Sequence, residues 1–500
     1  MDVKVRGLCA WWALTLLSVA SLAATRRDPR LLEAVKKGDR EVVQTLLKQH
    51  VDVDTPQEDG TTALAWAAHR DDLDMAELLI RASANVNAAN DYGVTPLSLA
   101  CTNGNAAMVE KLLQAGANSN AALSTGETAL MTAAHTGNVE AVKSLLVHGA
   151  EVNATESERG QTALMWAVAE NHTEVVRALI EHGADVHARS KGGFTPLLFA
   201  AQQGNLDSAR ILLAAGANVN EATVDDGSVL VVASASGHET FSIFLLDKGA
   251  DPNAADGYGI TALHYTVLKG LSILGGVRFR PTTFESALSY LFRPNMQELA
   301  KALLAHGANP NAHILAAPPL PHSRPLVMSP VGATPFLLAA ASYDASLMRI
   351  LAAGGADPLL ATEENTTPLI MAAGLGEGLG KLAPRTEEED RSALEAVKLV
   401  VKLGADVNKA NDVGLTALHS AAYVGADAII QFLVEKGAKV GLKDKYGQTP
   451  LSIAERIIPA GLVDGYLKPT SIHKSTADLL RKLGATPLTA HATQVSDAAQ

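Results

Sequence analysis

A chain of 500 residues and 52.1 kDa with 47% hydrophobic residues excludes a disordered polymer and a minimal peptide scaffold. Length alone would suggest about three or four ordinary domains. The 53 acidic residues outnumber 41 Lys plus Arg, for a net charge of -12, so a nucleic-acid backbone would meet repulsion, and no nucleic-acid partner is expected.

Residues 1 to 25 open with Lys4 and Arg6, continue through an apolar run from Gly7 to about Ala20 that includes Trp11, Trp12, Leu14 and Leu16, and end in small residues. This is the pattern of an export signal. Ser21 and Ala23 suit a cut after Ala23, which makes residues 1–23 a signal peptide. An uncleaved anchor is the alternative, because the run is at the lower limit for spanning a bilayer. The expected location is therefore exported, periplasmic or secreted, with no membrane contact unless the signal is retained. Of the two cysteines, Cys9 lies in this segment, which leaves Cys101 as the single thiol of the mature chain.

Beyond the signal the chain repeats itself. A Thr-Ala/Pro-Leu element begins at Thr62, Thr95, Thr128, Thr162 and Thr195, recurs as Ser228-Val229-Leu230, and returns at Thr261, Thr334 (with Phe336 as its third residue), Thr367, Thr416 and Thr449. The steps between starts are 33, 33, 34, 33, 33, 33, 73, 33, 49 and 33 residues. Thr supplies an N-cap oxygen, and Pro fits the first helical position without losing a hydrogen bond. Small pairs such as Ala133-Ala134 and Ala200-Ala201 let this first helix lie close to its neighbours. Gly104, Gly137 and Gly204 then turn the chain into a second helix with an apolar face, such as Val175, Val176, Leu179 and Ile180. Gly116, Gly149, Gly183 and their equivalents end it in the left-handed conformation. His50 and Ser83 stand where that glycine belongs, and Asn365 replaces a turn glycine, so strain is expected at all three.

This pattern closely resembles the ankyrin repeat, a β-turn plus two antiparallel helices of 33 residues with a T-P-L-H-x-A start. The resemblance covers about residues 29 to 487. It implies an all-α fold: an ankyrin-repeat solenoid of about twelve helix-turn-helix units with β-turn fingers. The expected organisation is an N-terminal capping repeat at 24–59, regular repeats at 60–270, one repeat carrying two insertions at 271–332, repeats with an insertion near 374–390 at 333–447, a capping repeat at 448–487 and a disordered tail at 488–500.

The insertions carry their own readings. Phe284 to Phe292 could form an additional short helix, and Pro318 to Pro325 reads as a stiff surface loop or a polyproline ligand. Glu387, Glu388, Glu389 and Asp390 precede a helical stretch from Ser392 to Leu403, as helix-starting charges or as a site for a cation or a basic partner.

No reaction centre emerges. His-x-x-x-His and Cys-x-x-Cys spacing, a phosphate-cradling loop with Lys-Ser/Thr and a Gly-x-Ser-x-Gly elbow are all absent, so neither a metal nor a cofactor is expected. Cys101 reads as a small buried apolar residue, and Trp66 and Trp166 as packing positions. Asn153, Asn171 and Asn365 fit the glycan acceptor pattern. The resemblance implies a structural role for His264 and His419, which stand at the histidine of the T-A-L-H start, as bridges between neighbouring turns.

The resemblance also places partner binding on a concave side made of finger turns and first-helix ends. Carried onto this sequence, the finger candidates are Tyr92, Arg159, Lys191 and Tyr258, and the helix-end candidates are Arg70, Asn103, Thr136, Glu170, Gln203, Lys269, Ser342 and Tyr343. The sequence thus reads as an exported, non-enzymatic protein of bacterial-envelope type that binds a protein partner. An enzyme site in the 271–332 insertions and a membrane-tethered spacer are the competing readings.

Overall fold

The computed structural model describes residues 28–267, 270–271, 294–317, 329–375, 386–459, 472–488 and 492–494. The expected signal segment, the Phe284 to Phe292 helix, the Pro318 to Pro325 run and Lys269 lie outside the described residues. The chain forms two compact units, one ending at Pro196 and the other beginning at Leu197.

Each repeat start builds a short helix for the reason its sequence suggests. The Thr62 hydroxyl accepts the amide of Ala65 at the head of helix Ala63–His69, and Thr95 and Ser98 form a reciprocal capping box on Pro96–Thr102. The leucine two residues after the repeat-start threonine, as at Leu64, Leu97, Leu130 and Leu164, is fully buried, and Phe336 takes that place after Thr334. Burial of each such side chain is worth roughly 1.5–3 kcal/mol relative to exposure. Second helices such as Leu73–Arg81, Ala106–Gln114 and Val139–Val147 begin at Asp72, Asn105 and Asn138, whose side chains accept the amide three residues on. Twelve such helix pairs stand among the described residues.

His50, Ser83 and Asn365 adopt φ of 57°, 65° and 57°, the left-handed region expected where they replace glycine. The glycine between first and second helices has a further reason to lack a side chain. A Cβ on Gly137 would lie 2.5 Å from the His172 ring of the next repeat. That ring stands at the N-cap of helix Thr173–Glu181, and its Nε2 meets His135 O at 2.9 Å.

One recurring tie between repeats was not legible as such in the sequence. Four residues after most helix-ending positions, an asparagine amide donates to the corresponding glycine carbonyl of the next repeat, and its oxygen accepts an amide two residues beyond that glycine. In the first unit Asn120 Nδ2 donates to Gly149 O at 3.0 Å and Glu151 N donates to Asn120 Oδ1 at 2.7 Å. Asn87 and Asn153 do the same. In the second unit Asn220, Asn253, Asn311 and Asn408 repeat the clamp. Asp54, His187, Leu359 and Gly441 occupy this slot without a side-chain amide, and Asp54 supplies the oxygen half alone, accepting Asn85 N at 2.8 Å.

The resemblance's bridging histidines are in place, both in the second unit. His264 Nδ1 meets Thr261 N at 3.1 Å while Nε2 reaches Ala312 O at 3.1 Å and Ala333 O at 3.3 Å. His419 bonds Thr416 N and reaches Gln448 O at 3.3 Å. Both rings are fully buried. Desolvation pushes each imidazole down to about 4, against the backbone carbonyls that favour the charged form.

Three details depart from expectation. The acidic run lies inside the helix rather than before it: Glu387–Lys402 starts at Glu387, and Thr386 and Glu389 form its capping box. Carboxylates in a first turn face the positive end of the helix dipole, so the helix gains by extending over them. The first helix of the same repeat is broken into Pro368–Ile370 and Met371–Leu375, where Gly374 takes φ of 134°. Finally, residues 492–494, expected in a disordered tail, pair antiparallel with Ile457–Pro459, which satisfies backbone groups on both strands.

Two predictions follow from these bonds. Asn120→Ala removes two hydrogen bonds across one seam and should destabilise the first unit by about 1–2 kcal/mol, with faster amide exchange at Glu151. Leu359→Asn, which supplies the missing amide, should slow exchange around Gly404; unchanged exchange in both variants would mean that the clamp holds nothing. The buried histidines are neutral in the folded chain and take up protons near the ordinary value of 6.5 when unfolded. Their contribution is therefore complete above pH 6.5 and is lost as pH falls from 6.5 to about 4. The loss amounts to roughly 3 kcal/mol per histidine. His419→Ser should flatten this slope in urea unfolding, because serine already makes the equivalent capping bond at Ser98 and Ser452.

Candidate functional site

Finger turns and first-helix ends carry the candidate side chains, and backbone bonds between fingers fix where the turns stand. In the first unit Asp91 N donates to Asp59 O, Ser157 N to Thr125 O and Lys191 N to Arg159 O, at 2.8–2.9 Å. In the second, Gly257 N donates to Asp225 O and Leu315 N to Tyr258 O. Further along, Glu363 N donates to Val331 O, Asp412 N to Glu364 O and Lys445 N to Val413 O. The fingers of each unit are thus ordered rows.

Of the finger candidates, Tyr92 is 68% exposed, and Arg159 and Lys191 are also exposed. Lys191 Nζ folds back onto Ser157 O at 2.6 Å. Tyr258 is half-buried, and its carbonyl accepts both Leu315 N and Ala316 N.

The helix-end candidates divide into three groups. Arg70, Asn103 and Thr136 are exposed but reach back to the preceding repeat. Arg70 Nη1 donates to Lys36 O at 2.7 Å, Asn103 Nδ2 to Ala68 O, His69 O and Asp71 Oδ1, and Thr136 Oγ1 to Cys101 O at 3.4 Å. Glu170 and Gln203 are exposed, and Glu170 lies 3.7 Å from His135 Nδ1. Ser342 and Tyr343, expected at the surface, are buried. Asn295, brought in by the insertion-bearing repeat, lies over this turn and donates to Ser342 Oγ at 3.4 Å and Asp344 Oδ2 at 3.0 Å.

The tryptophans also differ from expectation, since Trp66 and Trp166 are half-buried rather than core. Their position on the first helix faces the finger, where Gln57 Oε1 accepts Trp66 Nε1–H at 3.1 Å. Lys36 Nζ lies 5.2 Å from the Trp66 ring, and His69 and His135 meet Trp66 and Trp166 edge-on at 5.6 and 5.4 Å.

Among the described residues, no group of three or more His, Cys, Asp or Glu is placed to hold a metal ion. Burial pushes the Cys101 thiol up to about 12, which deprives it of the thiolate a nucleophile requires. Among the described residues no helix is long and apolar enough to cross a membrane. The Asn153 amide is committed to its clamp, and Asn365 Nδ2 donates to Asp412 Oδ1. Two features of this surface escaped sequence reasoning: the asparagine clamp, whose signal was an Asn at a constant offset from glycine, and the apolar tips Val224 and Leu315 in the second unit.

Comparison with known proteins agrees with this architecture. A family model described as ankyrin repeats, in three copies, matches residues 31–123, 116–190, 187–256 and 389–456. The chain is similar to the putative ankyrin repeat protein YahD of Escherichia coli, 32% identical over 125 residues, which are 24% of this chain and 55% of that one. It is 36% identical over 97 residues to the probable 26S proteasome regulatory subunit p28 of Saccharomyces cerevisiae, 19% of this chain and 41% of that one. A stretch of 43 residues is 51% identical to the human Notch-regulated ankyrin repeat-containing protein, 9% of this chain and 38% of that one. The matched stretches thus span about half or less of these relatives. With a family model matching more than half of its length, and with successive helix pairs along its described residues, the chain belongs to the ankyrin-repeat family.

Proposed function

We propose that this chain is an exported, non-catalytic adaptor that binds a protein partner through its finger tips and first-helix ends. Ankyrin repeats generally mediate protein–protein interaction, and proteins built from them are generally non-enzymatic. The observation that carries the reading is the finger row of each unit, whose backbone bonds hold exposed side chains such as Tyr92 and Arg159 in fixed places. A surface ordered before its partner arrives loses little conformational entropy on binding. Export is supported by Lys4, Arg6, the apolar run that follows and the small residues Ser21 and Ala23.

Photo-crosslinking groups placed at Tyr92 and Gln203 in intact cells should capture one protein repeatedly, and the mature chain recovered from those cells should begin at Ala24. Capture that is equally efficient from Lys48, on a second helix, would defeat the assignment of the face. Retention of Met1 in the recovered chain would defeat export with cleavage.

A further inference from the structure

The last helix pair is built differently from the others. In a regular repeat ten residues separate the repeat-start threonine from the N-cap of the second helix, as from Thr95 to Asn105, whereas Thr449 and His473 are 24 apart. The turn between the helices is nevertheless ordinary, because His473 N donates to Ala454 O as Asn105 N donates to Ala100 O. The pair therefore closes without help from the added residues. Arg456, at φ of 56°, turns the chain out of the first helix and into the extended stretch Ile457–Pro459. Ala492–Gln494, beyond the last helix, lies antiparallel to it, with Ile457 opposite Gln494, Ile458 opposite Thr493 and Pro459 opposite Ala492.

Pro459 has no N–H, so its pair cannot be one that exchanges two backbone bonds; because such pairs alternate along an antiparallel ladder, Ile458 and Thr493 make the exchange. Two strands of three residues are marginal by themselves, and this ladder opens more readily than the buried helices do. Opening leaves the N–H and C=O of Ile458 without partners, and such an edge is a template for an extended segment. What keeps the tail in place is its tether. Seven residues, Ala485 to His491, join Gly484 to Ala492, and a short tether holds its end at an effective concentration on the order of 1 mM.

We infer that the tail is a displaceable strap on a strand-accepting edge. Ile457–Pro459 holds one extended segment at a time, either Ala492–Gln494 of its own chain or a segment of the protein partner that displaces it. This rests on the adaptor reading for the competing segment and adds how that segment is recognised: through its backbone, with tolerance for side chains but none for proline opposite Ile458. The strap sets a threshold, because a partner segment must outcompete a tail held near about 1 mM. A second copy's tail has the same chemistry but no tether, so it reaches the edge only at protein concentrations of that order.

The test uses the purified full chain, a chain shortened to end at Leu488, and a labelled peptide with the sequence of Thr489–Gln500, which stands in for a partner segment. By fluorescence anisotropy the peptide should bind the shortened chain with a Kd of about 0.1 mM, which keeps a tethered tail on the edge about nine-tenths of the time, and the full chain about tenfold more weakly. Exchange of the Ile458 amide, read by mass spectrometry, should be about tenfold faster in the shortened chain and should slow when peptide is added. Thr493→Pro in the full chain should free the edge as shortening does, Thr493→Val should leave it closed, and the same proline in the peptide should abolish binding.

Equal peptide binding by the full and shortened chains, binding that tolerates the proline, or Ile458 exchange unchanged by shortening overturns the inference. So does a dimer at micromolar concentration in sedimentation velocity that Thr493→Pro abolishes, which would assign the strand pair to exchange between copies. Any of these results, together with a partner captured in cells through Tyr92, leaves the adaptor reading standing. Absence of any captured partner sinks that reading and the competing segment with it, and Ile458 exchange still reports whether the tail is a strap.

Discussion

Neighbouring repeats are joined by one strand of chain, so their register depends on what crosses each seam, and the asparagine amide crosses it in both directions at once. Its nitrogen satisfies the carbonyl of a glycine that ends the next repeat's second helix, as Asn120 does for Gly149, and its oxygen accepts an amide two residues on. That carbonyl belongs to the residue just beyond the helix C-cap, outside the intrahelical ladder, as Gly149 follows His148. The clamp therefore serves local structure and stacking with the same atoms. It also requires the left-handed glycine, because only that turn aims the carbonyl and the later amide at one side chain; Gly149 takes φ of 81°.

At the opposite end of the helix pair a second tie constrains the turn between helices. Gly137, Gly204 and Gly425 leave room for the rings of His172, His238 and His473, whose Nε2 atoms meet His135 O, Gln202 O and Tyr423 O. Repeats that carry both ties are thus held at both ends of the second helix as well as along the buried face. Fingers positioned by such a stack need no order of their own. Turns that would be mobile in isolation become aligned rows, and the variety of their side chains costs the fold little. This separation lets finger composition differ between the two units while the core positions stay nearly constant.

The sequence discloses whatever depends on spacing. Threonine caps, buried leucines, helix-ending glycines and the strained substitutes His50 and Ser83 were all legible, because each is dictated by its own few neighbours. The histidine bridge was legible through the family resemblance, which carried a contact that spans 48 residues from His264 to Ala312. What escaped depended on three-dimensional neighbours that spacing does not name. Ser342 and Tyr343 occupy a helix end that would be open in a regular repeat, but Asn295 arrives from beyond an insertion and covers it. Arg70, Asn103 and Thr136 look like surface side chains and are surface side chains, yet the polar atoms that make them attractive for a partner already bond the preceding repeat. Trp66 and Trp166 fell between the two readings, because a large apolar residue at a packing register can rest against a finger as readily as in a core.

Where the clamp is missing, the chain's other ties reveal how the load is shared. Leu359 has no amide to offer the repeat that ends at Gly404, and at that seam the fingers supply more than their usual single backbone bond. Asp412 N donates to Glu364 O at 3.0 Å, Asn365 Nδ2 to Asp412 Oδ1 at 2.7 Å, and Asn411 Nδ2 to Thr366 Oγ1 at 3.2 Å. Asn365 reaches Asp412 from a left-handed backbone, a conformation that asparagine tolerates better than most side chains. The residue that looks like a defective glycine in the repeat pattern is therefore also a donor that a glycine could not provide. In a linear array stability is a sum over seams, so a clamp lost at one end of a seam can be offset at the other without change elsewhere. The departures from the repeat are accordingly best read in pairs, as with Leu359 and Asn365, rather than as isolated faults.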